Sequence, residues 1–359
     1  METAERRTRR EAPQHSLARR TLAPALLLVA ITAAAALTAT QAAFQLHAVA
    51  GSATGAFHSS AASTSDVLPG RAPHMRGFDE LAVLAPLSDA NETATATAGA
   101  QYNETAALYL AHVTSVAYCQ AAHIHDWSCQ PCGLVPRLER VQIVMDKKDS
   151  FQGLVGYSAA DNAVVVAFRG SMDVTNWIDN MTFIKKRAYA AYPSVKVHQG
   201  FYWVYRSVAA QLVPLVRELV AAYPGARVLV TGHSLGAAVA AICTFELALL
   251  EKIPVAALYT FGAPRAGNAE FSAALRNASL DVFRVTHFRD VVPHLPPTWI
   301  GFQHTTREVF YDEFQSDYRL CSEDSGEDMA CSNACSPFGC TSVVDHLTYL
   351  NVTMSHLIC

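Results

Sequence analysis

The segment Arg227-Val-Leu-Val-Thr-Gly-His-Ser-Leu-Gly236, continuing through Ala237-Ala-Val-Ala-Ala-Ile-Cys-Thr-Phe-Glu-Leu-Ala-Leu-Leu250, decides how this chain is read. Arg227–Thr231 is short, apolar and β-branched, as a buried strand is. Leu235–Leu250 is a long Ala/Leu-rich run of helical character. Between them stands Gly232-His233-Ser234-Leu235-Gly236. A serine on so sharp a strand-to-helix turn projects its hydroxyl clear of the sheet, and side chains at the two glycine positions would collide with neighbouring backbone. The helix behind it aims free amides at negative charge developing beside the serine, with the Leu235 N–H as first donor. The pattern G-x-S-x-G alone is a weak signal; its seat between strand and helix gives it weight.

Working outward, Ala163–Phe168 and Val255–Phe261 read as further strands, and Gly200–Tyr223 as a further helix. A helical rhythm over Thr105–Gln120 opens this part of the chain. Strands alternating with longer helices predict an α/β domain whose sheet is mostly parallel and covered on both faces. No internal repeat interrupts the alternation.

A nucleophilic serine needs a base, and the base needs an orienting acid, here in the chain order Ser, Asp or Glu, His. The segment VFRVTHFRDVVPHLPP, residues 282–297, holds a strand-like stretch ending at Asp290, and SVVDHLTYL, residues 342–350, offers His346. His287, His294 and His304 compete with it, and order and composition leave that choice open.

FRGS (168–171), GHSLG (232–236), TFGAPRAGN (260–268), RVTHFRDVVPHLPP (284–297) and DHLTYL (345–350) occur in the order seen in the fungal-type class 3 lipase family. The chain resembles the secreted triacylglycerol lipases of filamentous fungi over nearly all of Tyr102–Cys359. The resemblance implies an α/β-hydrolase fold with a helical lid. It implies Asp290 as triad acid, His346 as base, and Ser171 with Leu235 as oxyanion hole, Ser171 donating from its backbone and its hydroxyl. The implied activity is hydrolysis of lipid carboxylic esters, with no cofactor and no metal. Feruloyl esterase or phospholipase A1 chemistry on the same fold is the alternative, and a membrane-tethered hydrolase-like protein that only binds lipid is another. The resemblance also pairs Cys119 with Cys359, Cys129 with Cys132, and Cys321 with Cys331; Cys335 and Cys340 are left to pair with each other. Of the nine cysteines this leaves Cys243, inside the apolar helical run, as a buried free thiol. Zinc on Cys129 and Cys132 with His123 and His125 is the rival reading, disfavoured in an oxidising compartment.

After Ser171 comes MDVTNWIDNMTFIKK, in which Val174, Trp177, Ile178 and Met181 form one helical stripe and Asp173, Asn176 and Asn180 lie off it. An ordinary surface helix would show the same stripe. Its position beside the oxyanion residue and its match to the lipase lid favour a cover that shields the site in water and turns toward a lipid surface.

The N-terminal part differs in texture. Residues 1–20 carry six arginines, and a charge-free segment runs from 21 to 44. A secretory signal has this order, and the apolar length also reaches that of a signal anchor; both put the remainder outside the cytosol. Residues 45–100, rich in Ala, Ser, Thr and Gly, read as a stalk or pro-segment, and 101–359 as the catalytic domain. Sequons at Asn91, Asn103, Asn180, Asn277 and Asn351 accord with a secreted or membrane-anchored location. A formal net charge of −4 without any basic stripe argues against nucleic acid as a partner. The expected partner is a lipid ester at a lipid–water interface; a monomer is assumed.

Overall fold

The computed structural model describes residues 101–359 apart from 147, 149–150, 306, 324–325 and 336–338. The basic region, the apolar segment 21–44, the stretch 45–100 and the sequon at Asn91 lie outside the described residues. Among the described residues no helix is long and apolar enough to cross a membrane.

Helix α1 (Glu104–Val116) is capped by Asn103, whose side chain accepts the Ala106 N–H at 2.9 Å, and the short α2 (Ala121–Asp126) follows. Three antiparallel-paired strands come next, β1 (Glu139–Asp146), β2 (Phe151–Ser158) and β3 (Ala163–Phe168). Helix α3 (Val174–Asp179) and the small ladder of β4 (Lys185–Lys186) with β5 (Val197–His198) precede the long α4 (Gln199–Ala222). The second half runs β6 (Arg227–His233), α5 (Leu235–Phe245), β7 (Val255–Phe261), α6 (Ala269–Arg276), β8 (Asp281–His287), β9 (Glu308–Tyr311) and β10 (Tyr318–Leu320). A last hairpin pairs β11 (Thr348–Tyr349) with β12 (Val352–Thr353).

The eight-stranded sheet has the order β1-β2-β3-β6-β7-β8-β9-β10. It is parallel from β3 through β9 and antiparallel at both edges. A parallel sheet must be covered on both faces, and two cores supply the cover. One sets α4 and α5 against Val164, Val166, Val228 and Val230; the other sets α1 and the C-terminal hairpin against Val165, Ala167, Leu229 and Val285. Strand β3 is therefore buried at every residue. Along α4 the buried positions Phe201, Tyr205, Val208, Leu212, Val216 and Leu219 keep the helical period.

The sequence-based bounds differ at a few ends. Strand β6 runs on to His233, so the ladder holds the chain up to the residue before Ser234. The helix expected to Leu250 changes at Phe245 into a π-helical turn, Glu246–Leu250, closed by the Glu251 N–H on the Glu246 carbonyl. Strand β8 stops at His287, which leaves Asp290 in the following turn.

The disulfides are Cys119–Cys359, Cys129–Cys132, Cys321–Cys331 and Cys335–Cys340, and Cys243 is free and buried. His125, one of the residues weighed for zinc, lies beside Asp126 instead. Beneath the C-terminal disulfides, Arg284 and Glu308 form a fully buried ion pair, and Arg265 pairs with Glu327. Glu308 also accepts from Thr286 and from the Ser332 N–H, so its charge is fully hydrogen-bonded. Cys119–Cys359 spans 240 residues, and closing so long a loop restricts the unfolded chain strongly. The double variant Cys119→Ser, Cys359→Ser is expected to lose roughly 3–5 kcal/mol. Its Tm should fall by about 10 °C, read by calorimetry against the parent.

Candidate active site

Ser234 sits at φ 58°, ψ −128°, a left-handed conformation forced on a non-glycine residue by the turn from β6 into α5. The turn is held because its two glycines admit backbone where a Cβ would stand. A Cβ on Gly236 would lie 2.4 Å from the Phe168 and Arg169 carbonyl oxygens, and one on Gly232 would lie 2.4 Å from the Gly236 carbonyl. The Ser234 N–H bonds the Phe261 carbonyl at 3.0 Å, fixing the turn to the end of β7.

Asp290 and His346 arrive from separate segments. His346 Nδ1 lies 2.8 Å from Asp290 Oδ2; the other oxygen, Oδ1, accepts the Val292 N–H at 2.8 Å, and Tyr349 Oη–H also donates to Oδ2. Burial, then the Asp290 charge, drive the Tyr349 hydroxyl well above its ordinary range, so it remains a donor. Since Nδ1 faces a carboxylate it carries the ring proton, and Nε2 of the neutral ring is a bare acceptor. Ser234 Oγ and His346 Nε2 are both buried, and neither makes a hydrogen bond with any described residue. One is a donor lacking an acceptor, the other an acceptor lacking a donor. The direct Ser–His bond that the sequence reading implied is thus not formed in this structure, as is common before substrate tightens a site.

Of the rival histidines, His287 and His304 are engaged elsewhere. His287 Nδ1 meets the Asp345 carbonyl at 2.8 Å and His304 Nε2 meets the Pro293 carbonyl at 2.7 Å. The ring nitrogens of His294 have no hydrogen bond to a described residue, and burial, then Arg265, lower its basicity.

Three residues that motif reading passed over join the parts. His233 is fully buried next to Ser234 in the chain, and its Nε2 faces the His346 carbonyl at 2.7 Å, so Nε2 carries hydrogen. Burial, then neighbouring His346, push its pKa well below the ordinary value and keep the ring neutral. Its Nδ1 must then accept, and Tyr118 Oη lies 2.6 Å away. Tyr118 Oη in turn accepts the Gly170 N–H at 2.9 Å. A single directed chain therefore runs from the Gly170 amide through Tyr118 and His233 to the carbonyl of His346. Tyr118 is steadied from behind by Gln152, whose amide donates to the Ala117 and Cys119 carbonyls. The third, Tyr349, lies within the quoted DHLTYL motif. The signal for Tyr118 was its place beside Cys119; nothing in its spacing named His233 as its partner.

Ser171 and Leu235 line one cavity of about 440 Å³ with Trp177, Met181, Thr182 and Phe201. Asp173 caps α3 by accepting the Asn176 N–H at 2.9 Å. The helix stops at Asp179, before Met181, because Asn180 folds its amide back onto the Asn176 carbonyl at 2.8 Å. The stripe still faces inward: Val174 is buried, Trp177, Ile178 and Met181 are half-buried, and the Trp177 ring stacks on Phe201. Just beyond, His198 accepts the Phe201 N–H on Nδ1 and meets the Thr182 carbonyl through Nε2. Of the described sequons, Asn180, Asn277 and Asn351 are exposed, and Asn103 is half-buried in its capping role.

The family model Lipase (class 3) matches residues 165–299. Among curated proteins, a lipase of Rhizomucor miehei is 34% identical over 233 residues, 63% of this chain and 62% of its own length. The secreted mono- and diacylglycerol lipase 1 of Fusarium solani is 41% identical over 165 residues, 45% of this chain and 48% of its own. The chain thus spans less than two thirds of the length of these curated relatives. The solved Rhizomucor miehei triacylglyceride lipase superposes with a TM-score of 0.63 at 30% identity, over 73% of this chain and 99% of that one.

The chain belongs to the class 3 lipase family.

For this family member the chain of hydrogen bonds through Tyr118 has a direct test. Tyr118→Phe leaves the Gly170 N–H and His233 Nδ1 buried without partners, each costing about 1–3 kcal/mol. Labelling of Ser234 by a fluorophosphonate should slow on the order of tenfold as the loop and the imidazole drift; an unchanged rate would remove the positioning role. His198 gives a pH dependence. Unfolded, its imidazole titrates near 6.5; folded, burial pushes it down to about 4 against the pull of the Thr182 carbonyl. The unfolded chain binds the proton first, so this contribution is complete above pH 6.5 and is lost as pH falls from 6.5 to 4. That loss is roughly 3 kcal/mol. Denaturation midpoints over that interval should fall less steeply in His198→Asn, which keeps an acceptor at the cap.

Proposed function

We propose that this protein is a serine carboxylic ester hydrolase acting on acylglycerols at a lipid–water interface, with triacylglycerol as substrate. The observation that carries the reading is the imidazole of His346, held by Asp290 through Nδ1, whose Nε2 is buried without a described partner, as is the hydroxyl of Ser234.

In the proposed reaction His346 takes the Ser234 proton as the oxygen attacks the ester carbonyl. Asp290 holds the resulting imidazolium, while the Leu235 amide and Ser171, through its amide and hydroxyl, receive the oxyanion. The proton passes to the leaving alcohol, and water, deprotonated by the same imidazole, releases the fatty acid and restores the serine. The inward stripe of Val174, Trp177, Ile178 and Met181 makes α3 a cover that opens against lipid. The solved relative's description as a triacylglyceride lipase supports the glyceride class, and the Fusarium relative's name keeps mono- and diacylglycerols in the panel. Four disulfides and exposed sequons support an extracellular protein. Residues 21–44 are read as its export segment, 45–100 as a stalk or pro-segment, and 101–359 as the catalytic domain.

Ser234→Ala should lower hydrolysis at least about a thousandfold. With the parent protein, the rate on a short-chain ester should rise sharply as the ester passes its solubility limit; a smooth saturation curve through that limit counts against lid gating. A panel of tri-, di- and monoacylglycerols, phospholipids and feruloyl esters ranks the substrates, and preference for feruloyl esters would overturn the glyceride assignment.

A further inference from the structure

The surface that begins where α3 ends carries a charge pattern that the active site does not use. From residue 180 to 217 the sequence holds Lys185, Lys186, Arg187, Lys196, Arg206 and Arg217 and no Asp or Glu, in a chain of net charge −4. Arg206 and Arg217 are paired with Glu246 and Glu251. Lys185, Lys186 and Arg187 enter no ion pair among the described residues. The two lysines lie over aromatic rings instead: Lys185 Nζ is 4.9 Å from the Phe302 ring centre and donates to the Ile300 carbonyl, and Lys186 Nζ is 4.9 Å from the Trp203 ring centre.

These contacts gather large apolar side chains around the cations. Phe183 and Ile184 precede Lys185 in sequence, Trp203 lies under Lys186, and Trp299 adjoins Ile300; they are 41%, 52%, 53% and 83% exposed. Indole rings with one apolar body and one polar edge settle at the head-group layer of a membrane. Adjacent lysines and arginine meet the phosphates of that layer while their stems stay on apolar surface. Exposed carbon alone would leave the occupant open, and three cations without carboxylate partners select it. The segment also adjoins the site, since Thr182, next to Phe183, lines the cavity shared by Ser171 and Leu235.

We propose that Phe183, Ile184, Lys185, Lys186 and Arg187, with Trp203 and Trp299, form a docking surface for an anionic lipid layer. It delivers the lid edge to phosphate-bearing membranes or emulsions, and only this purpose rests on the esterase reading.

The test uses the full chain carrying Ser234→Ala, so that lipid is not consumed, and measures partition onto vesicles by sedimentation. Vesicles of phosphatidylcholine alone are compared with vesicles containing about one-third phosphatidylglycerol. At low salt the anionic vesicles should bind roughly 100-fold more tightly, at about fivefold per cation, and high salt should erase most of the difference. Adding Lys186→Ser and Arg187→Ser should cost roughly 25-fold on the anionic vesicles by the same factor and little on the neutral ones. Trp299→Ala should weaken binding to both. Equal partition onto the two vesicles, binding indifferent to salt, or anionic binding untouched by the double substitution overturns the proposal. Because the six arginines of residues 1–20 also favour anionic vesicles, the comparison of variants decides, and if the double variant fails to fold, Lys186→Gln with Arg187→Gln takes its place. A parent protein without esterase activity would refute the function proposed for the site and leave these partition values standing.

Discussion

The rest of the site depends on one close approach of backbone to backbone. The turn carrying Ser234 is pressed so tightly against the end of β3 that carbonyl oxygens of Phe168 and Arg169 occupy the space a side chain at position 236 would need. Because β3 and β6 are paired in parallel register up to Phe168 and Gly232, this contact sets where Ser234 stands relative to Ser171, three residues beyond the strand. A left-handed serine costs of order 1–3 kcal/mol. It persists because the ladder before it, the helix after it and the Phe261 carbonyl beside it leave the chain no other path.

Asp290 and His346 are held by different means from Ser234. They come from loops, and loops need side chains to fix them. Asp290 is gripped by a backbone amide, an imidazole and a phenol, so its charge stays oriented although it is buried. His346 is gripped twice, through its ring by Asp290 and through its carbonyl by His233. The x of the G-x-S-x-G motif thus gains a physical purpose: its neutral imidazole points down into the protein and links the Ser234 turn, the Gly170 loop and His346.

Much of this was legible in the sequence because it rests on local rules. The strand–turn–helix around Ser234 follows from β-branched, glycine and alanine-rich runs, and Ala163–Phe168 and Val255–Phe261 have the same bounds in the structure. The inward face of α3 follows from the spacing of Val174, Trp177 and Ile178. What could not be read was non-local or decided by a single side chain. Tyr118 and His233 are 115 residues apart, and no periodicity marks a hydrogen bond across that distance. The end of α3 was set by an asparagine folding back on its own helix. The choice of His346 over His287 and His304 on the residues alone stayed open, because all three are buried and only their partners tell them apart.

The bridge from Cys119 to Cys359 makes the greater part of the described chain a covalent ring. A protease that nicks any loop inside the ring leaves both pieces tethered, free to refold as a unit. A cut ahead of Cys119 sheds everything upstream and leaves the ring unopened. Proteolysis on one side of a single cysteine therefore removes chain, and on the other side breaks the chain while keeping its parts joined.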